Sequence, residues 1–355
     1  MSTHASLSLY VGTYTDTGTS RGIYHASFDP AAGTLSTPTL VAETPNPSFL
    51  AFSPDVATLY AVNESPSGVR AYEVLPDGAL APRGDPDGQV VGPCDLAVDR
   101  SGRLLAVAEY TGGATSAYSL GPDGRISARA GHHPHAGRST HPTRQEAPHA
   151  HGVTFSPDGR FLAVPDLGTD EVRCYVVDRA GSTLRPHPHA TLRIAPGSGP
   201  RHVHFSPDGR HLYVLNELSS TLTAAAFAAS TGHARTIETV PTLPDGFRGP
   251  STTAEIAIDA TGQFIYASNR GHDSIAVFTR DPSTGRLTPL ECVPTGGRTP
   301  RHFALAPTGD WLLVGNQDSD TLSIFRLDPA SGRLSAHGTP LAVPRPVCLR
   351  FRSYP

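Results

Sequence analysis

Ionisable residues suited to holding anions and moving protons recur in this chain at regular places. Arg201 and Arg301 each stand four residues before an apolar position that opens a repeated segment. His202 and His302 stand three before it. His151 takes the place equivalent to Arg201, and Glu255 the place equivalent to His202. Glu217 and Arg270 follow directly on Asn216 and Asn269, the polar ends of two repeats. A guanidinium clamps a carboxylate or phosphate through a planar fork of donors. A carboxylate or imidazole takes and returns a proton.

Composition excludes several other chemistries. All 28 basic residues are Arg and none is Lys. No Schiff base, pyridoxal-phosphate anchor or P-loop lysine is therefore possible. No Gly-x-Ser-x-Gly elbow occurs, which disfavours a covalent serine mechanism. The net charge is −4 with no basic run, so nucleic acid is not an expected partner. No apolar stretch reaches the roughly 18 residues of a membrane span. Met1 to Ser8 lack a basic segment followed by an apolar one, so no signal peptide is read and a cytoplasmic location is expected. Cys94, Cys174, Cys292 and Cys348 show no paired spacing and read as buried free thiols. Six histidines lie between Gly131 and His151, a stretch read as a long connection. A metal site there would use His149, His151 and Asp166, yet the spacing is not diagnostic, and neither metal nor cofactor is expected.

The elements that must position these side chains are strands. Gly and Pro number 35 and 34 of 355 residues, and Glu, Met and Lys together only eleven, which argues against a helical fold. Phe155-Ser-Pro-Asp-Gly-Arg-Phe-Leu-Ala-Val-Pro-Asp166 matches Phe205-Ser-Pro-Asp-Gly-Arg-His-Leu-Tyr-Val-Leu-Asn216. Phe52 to Asn63, Ile258 to Asn269 and Leu305 to Asn316 follow the same template, and Val98 to Glu109 is a weaker copy. Each copy reads strand, Ser-Pro-Asp-Gly turn, strand. A third strand and a short fourth complete a unit of roughly 40–50 residues, the period of a β-propeller blade. A seventh blade is split, with Pro346 to Phe351 as its innermost strand and residues from Leu9 onward as its outer strands. The expectation is an all-β, seven-bladed β-propeller with four antiparallel strands per blade, spanning 1–355 as one domain.

In a propeller the first strand of each blade lines the central channel, so the residues just before each repeat start face it. Their divergence between copies marks a site grafted on a symmetric scaffold. The charge gathers on the blades that start at 155, 205, 258 and 305, which predicts a lopsided site. Blades one and two offer little. Strand-end Asn residues and the Ser-Pro-Asp aspartates read as turn-forming instead. The recurrence of Arg-His at 201–202 and 301–302 favours a shared structural role for His202 and His302. Arg201 and Arg301 are harder to explain that way.

At these residues the chain resembles the bacterial propeller lactonase family. The resemblance rests on Arg144-Gln-Glu-Ala-Pro-His-Ala-His151, Pro165-Asp-Leu-Gly-Thr-Asp170, Pro200-Arg-His-Val-His-Phe205, Asn216-Glu217 and Ser268-Asn-Arg-Gly-His-Asp-Ser274, with Tyr10-Val-Gly-Thr-Tyr14 at the start. That family contains the propeller type of 6-phosphogluconolactonase and is similar to the fungal 3-carboxy-cis,cis-muconate lactonising enzyme. The resemblance implies a catalytic set of one His, one Glu and two Arg: His149 or His151, Glu217, Arg201 and Arg270. Arg144, Asp166, His202, His204, Glu255, Arg301 and His302 are expected around the substrate.

Three functions compete. The first is hydrolysis of a small acidic lactone, by default 6-phosphogluconolactone. Glu217 or a His of the Pro-His-Ala-His motif would activate water, and Arg would hold the oxyanion. The second is the reverse chemistry, a lactonising cyclase or isomerase acting on an open-chain unsaturated acid. The third is a non-catalytic binding propeller, which predicts exposed aromatics around the rim and a bland channel.

Overall fold

The computed structural model describes residues 6–178 and 182–353; Met1–Ala5, part of the stretch considered above as a leader, lie outside them. Seven antiparallel sheets stand around a central channel, a seven-bladed β-propeller. Blade one runs outward from Pro47–Phe52 through Thr58–Asn63 and Gly68–Val74 to Leu80–Pro82. The innermost strands of blades two, four, five and six are Pro93–Val98, Pro200–Phe205, Thr252–Ile258 and Pro300–Leu305. Blade three has only Thr154–Phe155 there. Blade seven joins Pro346–Phe351 to Leu7–Thr13, so the two ends of the chain share one sheet and close the ring. Closure leaves no innermost strand edge open.

Two expectations change. The fourth strands are not uniformly short: Ile126–Pro134, His233–Pro241 and Leu334–Ala342 have nine residues each. Their exposed, polar character hides them from an apolar pattern. For the same reason Gly131 to Pro134 belong to an outer strand, and the long connection starts only at His135.

The second strands of blades one to four and six are buried along their length, because they are sandwiched between neighbouring blades. A recurrent bond staples one blade to the next. The hydroxyls of Tyr10, Tyr60, Tyr213 and Tyr266 donate to the carbonyls of Gly78, Gly124, Gly285 and Gly332, and the Trp311 indole donates to Pro30. Buried phenol and indole groups need such partners.

The feature that builds the site is a β-bulge. In blade one Pro47 pairs with Asn63 and Phe49 with Val62, leaving Ser48 over. The same slip leaves Cys94, Arg201, Arg301 and Val347 over in blades two, four, six and seven. In blade five Ala254 and Glu255 share the slip, and in blade three His151 takes the place. Strand side chains normally alternate between faces, and a bulge lets two consecutive residues point the same way. The channel is therefore lined in layers. Ser48, Cys94, His151, Arg201, Ala254, Arg301 and Val347 form the upper ring. Phe49, Asp95, Gly152, His202, Glu255, His302 and Cys348 lie beneath it.

Candidate active site

Glu217 is the centre of the upper mouth. It follows Asn216 at the end of a second strand and is buried. Its Oε1 accepts from an Arg144 terminal nitrogen at 2.6 Å. Its Oε2 lies 3.1 Å from Arg201 Nε, 3.0 Å from a terminal nitrogen of Arg270 and 3.8 Å from His151 Nε2. Burial alone would push this carboxyl up. The charges of Arg270 foremost, with Arg201 and Arg144, hold it well below the usual carboxylate range. Glu217 is thus a fixed anion with three guanidinium groups against it.

The cations feel the same crowding. Burial lowers Arg270 to about 10 and lowers Arg201 as well. Arg201 donates to the Ala254 carbonyl and meets His202 at 3.1 Å; Arg270 donates to the Thr253 carbonyl at 2.8 Å. The Nε groups of Arg201 and Arg270 are buried and lack a well-angled acceptor. Donors left in that state favour an incoming oxygen.

The two histidines of the Pro-His-Ala-His motif divide here. His151 faces Glu217. Burial first, then the Arg201 charge, pushes its pKa well below the ordinary value, so it is neutral at neutral pH. His149 donates through Nδ1 to the Tyr110 carbonyl at 2.9 Å and stacks on the Tyr110 ring at 4.4 Å. Its Nε2 lies 3.6 Å from Glu146 on the rim. Both rings pack on Tyr110, as alternation along the motif implies.

Asp166 departs from the expectation that it meets substrate. Its Oδ1 accepts the amides of His149, Gly168 and Thr169, and its Oδ2 pairs with His135 Nδ1 at 2.5 Å. The other nitrogen of His135 reaches Tyr175 and Thr115. Asp166 therefore ties down the connection that carries Arg144 and His149. Gly168 permits the close approach: a Cβ there would sit 1.9 Å from the Ala147 carbonyl oxygen. His149, His151 and Asp166 do not converge, and among the described residues no His, Cys, Asp or Glu cluster of metal-binding geometry exists.

His202, Glu255 and His302 also part from the substrate set. Glu255 bridges the two imidazoles, 3.2 Å to His202 Nδ1 and 3.2 Å to His302 Nε2. The Phe49 ring meets both imidazoles edge-on. Together they plug the channel one layer below Glu217, which agrees with the structural role read from the repeated Arg-His pair. Burial lowers His202 to about 4 and His302 to about 3. His204 lies below the plug. It lines a separate cavity of about 240 Å³ at the far mouth with Asp95 and Arg350. A second cavity on that face, about 530 Å³ and lined by turn residues such as Asp55 and Asp123, gathers no comparable constellation.

Two contributors, Glu64 and Tyr110, come from the blades expected to offer little, and a third, Tyr14, comes from blade seven. Tyr14 donates to Glu64 Oε2 at 2.7 Å, and the Arg301 guanidinium lies over the Tyr14 ring at 5.1 Å. Tyr110 accepts a bond from Arg144 Nε at 3.3 Å. Glu64 stands one residue past a strand-end Asn, as Glu217 does, so the repeat itself carried the signal. Burial raises the Cys94 thiol well above its ordinary value, and all four cysteines are free. Among the described residues the large apolar side chain left exposed is Val91, not an aromatic rim.

Comparison with known proteins agrees with this fold. The model of the lactonase family of seven-bladed β-propellers matches residues 8–351. A Bacillus subtilis 6-phosphogluconolactonase is 34% identical over 345 residues, covering 96% of this chain and 97% of that protein. The Pseudomonas aeruginosa periplasmic gluconolactonase superposes with a TM-score of 0.92 at 34% identity, over 99% of this chain and 100% of that one. A Lactobacillus plantarum structure gives a TM-score of 0.92 at 32% identity, over 98% and 99%.

Proposed function

The chain belongs to the seven-bladed β-propeller lactonase family, and on that premise we propose that it hydrolyses 6-phosphogluconolactone at the mouth built around Glu217. The observation that carries this reading is one buried carboxylate held by three guanidinium groups beside a neutral imidazole. Water attacks the lactone carbonyl carbon and gives its proton to His151. The carbonyl oxygen becomes an oxyanion on Arg201 and Arg270, the two guanidinium groups turned into the mouth beside Glu217. The ring C–O bond then breaks, and the leaving oxygen takes the proton back from His151. The product is the open hydroxy acid.

Glu217 is a poor base, because three positive charges stabilise its ionised form. Its task is to hold the guanidinium groups in place and offset their mutual repulsion. His149, with Nδ1 committed to a carbonyl, shapes the Tyr110 wall. Arg144 closes the mouth from the loop side. Cytoplasmic location is part of this proposal, supported by four free cysteines; no helix among the described residues is long and apolar enough to cross a membrane.

The test is proton release from a panel of lactones with the purified protein. Hydrolysis of 6-phosphogluconolactone, lost by about 10²–10³-fold in Arg270→Gln, is expected. Turnover of muconate-type acids without lactone hydrolysis would shift the reading to a lactonising enzyme. Binding without turnover of either would leave a scaffold.

A further inference from the structure

The mouth carries more positive charge than its own residues neutralise. Arg144, Arg201, Arg270 and Arg301 face it, and the carboxylates among them are Glu217 and Glu64. Two positive charges are left over. Glu146 stands on the rim with its side chain 54% exposed, where water screens it. The layer beneath offers no compensation. Glu255 there is matched by Arg350, and burial keeps Asp95 protonated up to about pH 8.

The surplus belongs to the mouth as a whole, since the charge of Arg301 acts on Arg201 and Arg270. Arg144, Arg201 and Arg270 all touch Glu217 on the side of blades four and five. Arg301 stands on the next blade, six, near enough for its charge to lower the pKa of Arg201 and Arg270. Of the four mouth guanidinium groups it is the one with no hydrogen bond and no ion pair to any described residue; its contact is the face of Tyr14. Glu64 acts on it through its charge but does not occupy the fork, its Oε2 accepting from the Tyr14 hydroxyl at 2.7 Å. A half-buried guanidinium braced on an aromatic face, with its donor fork free, is built to receive an anion from outside. The oxyanion donors and this fork lie on successive blades, four, five and six, so one ligand would reach both with different groups.

We propose that Arg301, braced by Tyr14, reads a dianionic group on the substrate, and that this wall makes the protein select lactones bearing a phosphate monoester. The inference rests on the lactonase reading above. It assigns Arg301 to specificity, apart from the Arg201 and Arg270 oxyanion donors. A phosphate monoester carries close to two negative charges at neutral pH and three acceptor oxygens. That matches both the surplus and the free fork.

The experiment compares kcat/KM for 6-phosphogluconolactone and gluconolactone in the full-length protein and in Arg301→Gln and Arg301→Lys. The expected result is a ratio favouring the phosphorylated lactone that falls by about one to two orders of magnitude in Arg301→Gln. Arg301→Lys, which keeps the charge but not the fork, should fall in between. Equal preference in the wild type, or an unchanged ratio in Arg301→Gln, would overturn the proposal while leaving lactone hydrolysis standing. A second measurement does not depend on turnover or on a variant folding. Calorimetric titration of the wild type with 6-phosphogluconate and gluconate at constant ionic strength should show tighter binding of the phosphorylated acid. A dicarboxylic acid in the same assay separates phosphate recognition from dianion recognition. Equal affinity for 6-phosphogluconate and gluconate, or tighter binding of the dicarboxylate, would overturn the phosphate assignment. No lactone turnover with selective 6-phosphogluconate binding would remove the catalytic reading and keep the anion site.

Discussion

At the scale of single residues, the division of labour follows from what surrounds each ionisable group. His151 and Glu217 lie 3.8 Å apart, yet the environment drives both pKa values down. For His151 this means the neutral, proton-accepting form persists well below pH 6.5. The kcat/KM profile should be flat through neutrality and fall only as acid protonates His151. His151→Asn should lose about 10²–10⁴-fold and with it the acid limb. A wild-type limb at or above the ordinary histidine pKa would rule out His151 as base. Glu217→Gln leaves three guanidinium groups facing one another without their anion. Breaking a buried pair of this kind costs about 3–5 kcal/mol. Because the folded Glu217 pKa is depressed, that stabilisation is present above the usual carboxylate range and is lost as pH falls below it. The Tm gap between variant and wild type should therefore be widest at pH 7 and narrower at pH 3.

At the scale of elements, two devices place those residues. The bulge at the head of the inner strands turns Arg201, Arg301 and Cys94 into the mouth while Phe49, Asp95 and His202 still line the channel. The Asp166–His135 pair fastens the long connection onto blade three, from which Arg144 reaches Glu217. Asp166→Ala should free that connection and lower kcat/KM by about 10- to 100-fold. If Asp166 acts only by placing Arg144, the Asp166→Ala/Arg144→Ala double variant should be no worse than Arg144→Ala alone. Additive losses would point to a separate role. The repeat starts, and hence the channel-facing positions, were legible in the sequence because turn chemistry is local. What Asp166 touches was not legible, because nothing along the chain reveals that three amides and an imidazole converge on its carboxylate.

At the scale of the whole molecule, the ring is held by seven similar interfaces and closed by the pairing of Leu7–Thr13 with Pro346–Phe351. Aromatic staples join five of the blade seams, and the seam between blades two and three uses the His135 network instead. The plug beneath the mouth is less economical. Burial raises Asp95 to about 8, although it accepts the Val153 amide. A carboxyl whose folded pKa is raised stabilises the fold only while protonated, so it weakens the protein as pH climbs from its ordinary value towards 8. Asp95→Asn keeps an acceptor for Val153 and removes the titration. It should raise Tm by a few degrees at pH 8 and by little at pH 4. An equal shift at both values would refute the assignment.

The sequence by itself determined the propeller, the blade count, the ring closure and the ring of variable residues at its centre, since each follows from period, turn chemistry and alternation along the chain. It also determined that any anion held there must be held by Arg or His, there being no Lys. Only the tertiary structure decided which of those residues meet. It set His151 rather than His149 against Glu217, moved His202, Glu255 and His302 into a plug and brought Tyr14 and Glu64 to the wall beside Arg301. The physical reason is that blades far apart in sequence converge on one axis, and distances across that axis are fixed by closure of the ring rather than by any local spacing.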